Sequence, residues 1–410
     1  MFRTHSSCFS LLLLAGLLLS ASPGCGFSVA SYPPTAGDNN TGDDDDAADD
    51  DDAADDDDAA DDDEAADDDE AADDDDAADD DDAADDDDVA DDDDTAGDDD
   101  DTTDDDDDDT AGDDDDTVTQ VPPADPAGAG LFGFTVTTTN AGGLDAEIYL
   151  PAGPGPFPVI VLTHGFQLSP VDYVSYGEHL ASWGYVTILP QFPGNLFSSP
   201  THTELKNSLA DLLDWLDTAP AVLGGIADPS QLGLAGHSMG GKVALLLATE
   251  DPRPDAVFAI DPVDAGPPNG GNSADYPSVA PELMGNIDVS IVLVGEVQNS
   301  VGGGFGPACA PAGENFESYY DAATSPAMEV EVIGASHMSF LDNPFCLVCL
   351  LCPAGTDDPL VTKSVTRELM TAFFEAELRG EDWSAAWLGG TELAGLEASG
   401  LIATQSKNGF

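Results

Sequence analysis

Between residues 43 and 116 the chain carries 50 acidic side chains and no basic one, most of them as Asp-Asp-Asp-Asp-Ala-Ala at a six-residue period. Like charges at this density repel, and no apolar face repeats, so no core can form there. The stretch is expected to stay disordered and solvated, as an Asp/Ala-rich spacer over residues 25–129. About 75 residues at up to ~3.5 Å each would reach on the order of 200 Å. Weak, diffuse binding of divalent cations by the carboxylates is the alternative reading. The main repeat has no turn residues at loop-forming intervals, so no defined cation site is expected. Removing the 50 acids from the chain's 85 leaves 35, against eight Lys and Arg. So acidic a remainder makes nucleic acid and anionic membrane surfaces poor partners, since both attract basic proteins.

Ahead of the spacer, "FSLLLLAGLLLSA" follows one arginine and precedes small residues, the layout of a secretory signal over residues 1–24. The run is too short to span a bilayer comfortably, and no later stretch approaches spanning length, so a membrane is expected only through a lipid anchor. Cys25 follows Ser-Pro-Gly and resembles the processing site of bacterial lipoproteins, where a cysteine becomes the lipidated first residue. Ser22 stands where Leu is usual, so lipidation at Cys25 and ordinary cleavage after Ser22 are both open. Either route predicts an exported protein, held at the cell surface or outer membrane or secreted. Export favours oxidation, and the late cysteines Cys309, Cys346, Cys349 and Cys352 are expected to form two disulfides with the pairing open. The spacing in "CLVCLLC" also permits a metal site, but only Leu and Val intervene and no histidine follows nearby, so no metal is expected.

From about Gly130 the composition turns to Gly, Val, Leu and aromatics, and residues 130–410 are long enough for one sizeable domain. Apolar β-branched runs ("FTVTTT", "AEIYLP", "FPVIVLTHG", "YVTILPQ", "QLGLAGHS", "AVFAIDP", "SIVLVGE", "MEVEVIG") alternate with helical patterns ("YVSYGEHLASWG", "TELKNSLADLLDWLDT", "MGGKVALLLATE"). The order predicts an α/β fold with a mostly parallel central sheet and helices on both faces. Trp183 and Trp215 sit in helical patterns and are expected in the core. In such sheets the reacting groups lie beyond the carboxyl ends of the strands.

Just past one strand, "GLAGHSMGG" places Ser238 between strand and helix at a sharp turn that Gly236 and Gly240 make possible. A serine hydroxyl is a weak nucleophile and needs a base within hydrogen-bond reach. His5 lies in the signal, His164, His179 and His202 precede the serine, and His237 is in the turn itself with its side chain expected to point away. That leaves His337, directly after a strand. For the acid, Asp261 emerges first from its strand and leads; Asp264 and Glu296 stay open, with Asp264 otherwise a turn cap or a substrate contact. Oxyanion donors are expected from the backbone N–H groups of Phe166, after the strand-end His164-Gly165, and of Met239.

Taken together, residues 157–191, "GHSMGGKVALLLA", "AIDPVD" and "GASHMSFLD" resemble the chlorophyllase-type branch of the α/β-hydrolases, which is similar in turn to platelet-activating-factor acetylhydrolases and cutinase-like polyesterases. The resemblance spans about residues 134–375 and implies the α/β-hydrolase fold, a Ser-His-Asp acyl-enzyme mechanism without a cofactor, and the triad acid at Asp261. Met239 stands where plant chlorophyllases usually carry Arg, which points away from chlorophyll. The expected substrate is an apolar acyl or aryl ester, small or polymeric, in a pocket shaped by Phe166, Met239 and the loop from Asp264 to Pro277. A peptidase or amidase on the same fold, or an inactive hydrolase-fold binding protein, is the alternative.

Overall fold

The computed structural model describes residues 124–410 except 195–197, 267–271, 304–305 and 347–348. The signal, Cys25 and nearly all of the acidic spacer lie outside the described residues. Strands form where the apolar runs predict them: β1 (Phe134–Ala141), β2 (Leu144–Pro151), β3 (Phe157–Thr163), β4 (Val186–Pro190), β5 (Ala227–His237), β6 (Ala256–Ile260), β7 (Ser290–Gly295) and β8 (Ala327–Val332). With β9 (Ile402–Lys407) they make one sheet in the order β1-β2-β4-β3-β5-β6-β7-β8-β9. The strands from β4 through β8 in that order run parallel, while β1 and β2 at one edge and β9 at the other pair antiparallel.

Strand β3 illustrates why both faces must be covered. Every residue of "FPVIVLT" is buried, with Ile160 and Leu162 in one core and Val159 and Val161 in the other. Side chains alternate across a strand, so a continuous apolar run needs a layer on each side. On one face lie α1 (Val174–Ser182), α5 (Pro359–Arg379), α6 (Ala385–Leu388) and α7 (Thr391–Ala398); on the other lie α2 (His202–Asp217), α3 (Met239–Ala248) and α4 (Phe316–Ala322). Helix α2 shows the local logic. Thr201 and Glu204 cap it reciprocally, the Thr201 hydroxyl accepting from the Glu204 N–H (3.2 Å) and the Glu204 carboxylate from the Thr201 N–H (2.8 Å). Leu205, Leu209, Leu212, Leu213 and Leu216 fall on its buried stripe, each contributing roughly 1.5–3 kcal/mol on full burial. Trp183 is buried, and Trp215 packs partly buried against the second core.

Two boundaries differ from the sequence pattern. Packing on the domain begins before residue 130: the Trp183 indole donates to the Gly128 carbonyl (3.0 Å), just ahead of the bond from the Gly130 N–H to Ser182 Oγ (2.9 Å). The tail from Asp382 makes α6, α7 and then β9, a strand the pattern did not reveal. In "IATQSK" only Ile402 is buried, so pairing with β8, not an apolar run, makes it a strand.

Parallel alignment brings the carboxyl ends of β3, β5, β6, β7 and β8 to one edge of the sheet, and the residues that follow them are His164, Ser238, Asp261, Glu296 and the loop to His337.

Candidate active site

Ser238 occupies the turn between β5 and α3 with φ 55° and ψ −122°. That positive φ costs a non-glycine residue roughly 1–3 kcal/mol and persists only where the surroundings enforce it. Here the enforcement is visible. A Cβ on Gly236 would come within 2.4 Å of Thr163 Oγ1, and one on Gly240 within 2.4 Å of the Thr163 carbonyl. Only glycines let β3 and the start of α3 approach so closely, and the Ser238 N–H is tied to the Ile260 carbonyl of β6 (2.9 Å).

Ser238 Oγ lies 2.9 Å from His337 Nε2, and His337 Nδ1 lies 2.6 Å from Asp261 Oδ2. All three residues are buried. Burial pulls His337 down to about 4, with Asp261's carboxylate on Nδ1 opposing it, so the imidazole is neutral at neutral pH. Glu296, the first residue after β7, is also fully buried, and its N–H donates to Asp261 Oδ1 (3.3 Å). Burial, then Asp261's charge, push Glu296 well above the usual carboxyl range. Burial pushes Asp261 up as well, while its bonds from Glu296 pull it back. Two buried carboxyls this close carry one negative charge between them. The His337 Nδ1–H and the Glu296 main-chain N–H both point at Asp261, which favours the charge there and a protonated Glu296. Among the described residues, Asp261, Glu296 and His337 are a group whose ligand atoms lie within 4.8 Å of one another. The Asp261–His337 bond already uses two of those atoms.

His337 is held by its main chain as well. Its carbonyl accepts from His237 Nε2 (2.9 Å) and its N–H donates to Asn299 Oδ1 (2.8 Å). His237 Nδ1 faces the Tyr173 hydroxyl (2.7 Å), which in turn accepts from the Gly165 N–H (3.2 Å). The tautomer consistent with all three contacts has His237 donating at Nε2 and accepting at Nδ1. One chain of hydrogen bonds thus joins the loop after β3 to the loop after β8. Gly165's N–H is taken, while Phe166, the next residue, lines a pocket over Ser238.

That pocket has a volume of about 280 Å³ and is walled largely by apolar groups, among them Phe166, Met239, Val263, Ala265, Tyr276 and Pro311. Asp264 is not among the lining residues. Its buried carboxylate pairs with the buried Lys242 ammonium (3.1 Å) and accepts from Ser278 Oγ (2.6 Å) and the N–H groups of Val279 and Ala280. It fastens the pocket loop to α3. Tyr173, His237, Lys242 and Asn299 are supports the sequence pattern did not single out as such. Lys242 alone left a signal, a lone charge directly ahead of the apolar run "VALLLA" of α3. The four late cysteines pair as Cys309–Cys352 and Cys346–Cys349, leaving no thiolate there for a metal.

Comparison with known proteins places the chain in a family. A profile of the chlorophyllase family matches residues 138–388, more than half of the chain. Chlorophyllase-2 of Arabidopsis thaliana is 28% identical over 262 residues, covering 57% of this chain and 77% of that protein. Cutinase 1 of Thermobifida cellulosilytica is 29% identical over 133 residues, 31% of this chain and 49% of that enzyme. Esterase FrsA of Shigella boydii is 32% identical over 120 residues, 28% of each chain. The nine-stranded, mostly parallel sheet and these relatives agree, and the chain belongs to the chlorophyllase family as a carboxylic ester hydrolase of α/β-hydrolase fold.

Proposed function

We propose that the protein cleaves apolar acyl or aryl esters by a two-step acyl-enzyme mechanism with Ser238 as nucleophile, His337 as general base and acid, and Asp261 as the residue that orients His337. The observation that carries the reading is the continuous line from Ser238 Oγ to His337 Nε2 (2.9 Å) and from His337 Nδ1 to Asp261 Oδ2 (2.6 Å). Ser238 Oγ attacks the ester carbonyl as its proton passes to Nε2 of the neutral imidazole. The imidazolium, stabilised by Asp261, returns that proton to the departing alcohol oxygen. Water then repeats the sequence on the acyl-enzyme, its proton passing to Nε2 and on to Ser238 Oγ as the acid is released. The N–H groups of Phe166 and Met239 stabilise the oxyanion; their support is the position of both residues beside Ser238 in the pocket and of Met239 at the first turn of α3. The apolar wall supports an apolar acyl or aryl group as the part of the substrate bound there.

Around the domain we place a secretory signal at residues 1–24, a lipid-bearing or cleaved terminus near Cys25 and an extended acidic spacer that ends ahead of the packed residues near Gly128, the signal, terminus and spacer resting on sequence pattern. An exported hydrolase held away from its anchor suits insoluble or polymeric esters. The test is hydrolysis of a chain-length series of p-nitrophenyl esters by the mature protein and by Ser238→Ala, with fluorophosphonate labelling in parallel. The expected result is turnover and labelling that both vanish in Ser238→Ala. A mature protein that neither turns over any ester nor labels refutes the reading.

A further inference from the structure

Asn299 is fully buried in the loop after β7, and all of its polar groups are engaged. Its N–H donates to Glu296 Oε2 (2.8 Å), its Oδ1 accepts from the His337 N–H (2.8 Å), its Nδ2 donates to the Pro353 carbonyl (3.0 Å), and its own carbonyl accepts from the Ala310 N–H (3.2 Å). The last two partners share a feature. Ala310 directly follows Cys309, Pro353 directly follows Cys352, and those two cysteines are joined by a disulfide with Cα atoms 5.8 Å apart. The cross-link therefore fastens together the two chain segments that bond Asn299, one at its main-chain carbonyl and the other at its side-chain amide. Its 43-residue separation also encloses β8 and His337. Cys309 itself lines the pocket over Ser238.

We propose that Asn299 is a positioning residue for His337 and that the Cys309–Cys352 disulfide acts on turnover through it. Resting on the Ser238–His337–Asp261 reading above, the argument is geometric. The imidazole must point Nε2 at Ser238 Oγ and Nδ1 at Asp261 together, and a misplacement of about 1 Å is enough to cost on the order of 100-fold in rate. His337 sits in a loop rather than a strand, so its main chain needs outside anchors. His237 supplies one at the carbonyl and Asn299 the other at the N–H. Because Asn299 is buried, its orientation is fixed by the Pro353 and Ala310 bonds, and the cross-link holds both. The second disulfide, Cys346–Cys349, spans only three residues; it meets the first where the Cys349 carbonyl accepts from the Cys352 N–H (3.1 Å), but among the described residues it makes no hydrogen bond to Asn299, His337, Ala310 or Pro353.

The test compares the full chain, Asn299→Ala, Cys309→Ser/Cys352→Ser, the triple variant combining them, and Cys346→Ser/Cys349→Ser as control. For each, kcat and KM on a p-nitrophenyl ester, the fluorophosphonate labelling rate and the Tm are measured. Asn299→Ala is expected to lower kcat about 10- to 100-fold with KM changed less than about 3-fold. The Cys309/Cys352 variant is expected to lower kcat several-fold, with any change in KM assigned to the altered pocket wall at Cys309, and the triple variant is expected to show a kcat no lower than that of Asn299→Ala alone, because one route carries both effects. The labelling rate should fall in step with kcat, and the control should match wild type. Losses that multiply in the triple variant, or a Cys309/Cys352 variant that lowers Tm while keeping kcat, overturn the proposal and leave the disulfide a staple. Should Asn299→Ala fail to fold, the kcat of the Cys309/Cys352 variant decides alone. Failure of wild type itself to turn over or label would count against the Ser238 reading instead.

Discussion

Lys242 gives the sharpest test of how the pocket is held. Its side chain is wholly buried, with Nζ 3.1 Å from Asp264 Oδ1 and 2.6 Å from the Asp264 main-chain oxygen. Lys242→Met keeps most of the stem's volume and removes the charge, leaving the Asp264 carboxylate buried without its counter-ion. Losing one member of a buried pair typically costs ~3–5 kcal/mol. Here the carboxylate keeps donors from Ser278 Oγ and the N–H groups of Val279 and Ala280, which puts the expected cost near the lower end, about 3 kcal/mol. Burial already lowers the pKa of Lys242, against the pull of Asp264, which also argues for the lower end. Equilibrium urea unfolding reads the loss as a lower midpoint at unchanged slope. Adding Asp264→Asn removes the stranded charge and should restore part of the stability, so the double variant is expected to be more stable than Lys242→Met. Because the loop after Asp264 brings Tyr276 to the pocket, KM should rise in the single variant while fluorophosphonate labelling of Ser238 persists. A single-variant cost below about 1 kcal/mol, or a double variant less stable than the single, would refute the claim that a desolvated charge pair holds this loop.

Two further outcomes follow from the buried acids and the base. Glu296→Gln should retain kcat within about 3-fold at pH 7, because a neutral amide can still accept the Asn299 N–H and donate toward Asp261, and it should resist the alkaline loss of activity expected when Glu296 ionises beside Asp261; a loss of tenfold or more at pH 7 would mean that Glu296 works as an anion. The pH profile of kcat/KM should show its acid limb below the ~6.5 of a free imidazole, toward the value of about 4 to which burial pulls His337. Activity is lost as pH falls through that value, since only the neutral ring accepts the serine proton; a limb at or above the free value would show that Asp261 outweighs burial.

Much of the framework was legible because it repeats. Strands β1 to β8 announce themselves as apolar runs, and Ser238 as a serine flanked by glycines at a strand end. Strand β9 was not legible, since its one buried anchor, Ile402, makes no period. The supports of the site were hidden for another reason. Tyr173 meets His237 across 64 residues, and His237 meets His337 across 100, so no local pattern joins them. A tyrosine in "VDYVSY" or an asparagine in "VQNS" looks like any loop or helix residue until the fold closes.

The acid shows how the two kinds of information combine. Along the sequence Asp261 and Glu296 are rival candidates, each the first residue beyond its strand. In the sheet β6 and β7 are parallel neighbours in register, Ile260 opposite Val294, so their exits open side by side and the Glu296 N–H donates to Asp261 Oδ1. The two acids are therefore one unit, not alternatives: the nearer carboxylate contacts His337, and the other, protonated, stands behind it. A parallel sheet makes such pairs whenever adjacent strands both end in an acid, because the strand exits lie side by side at the register spacing of about 5 Å. Glu296 could have been read from the sequence as a partner of Asp261 only by someone who already knew that β7 lies next to β6.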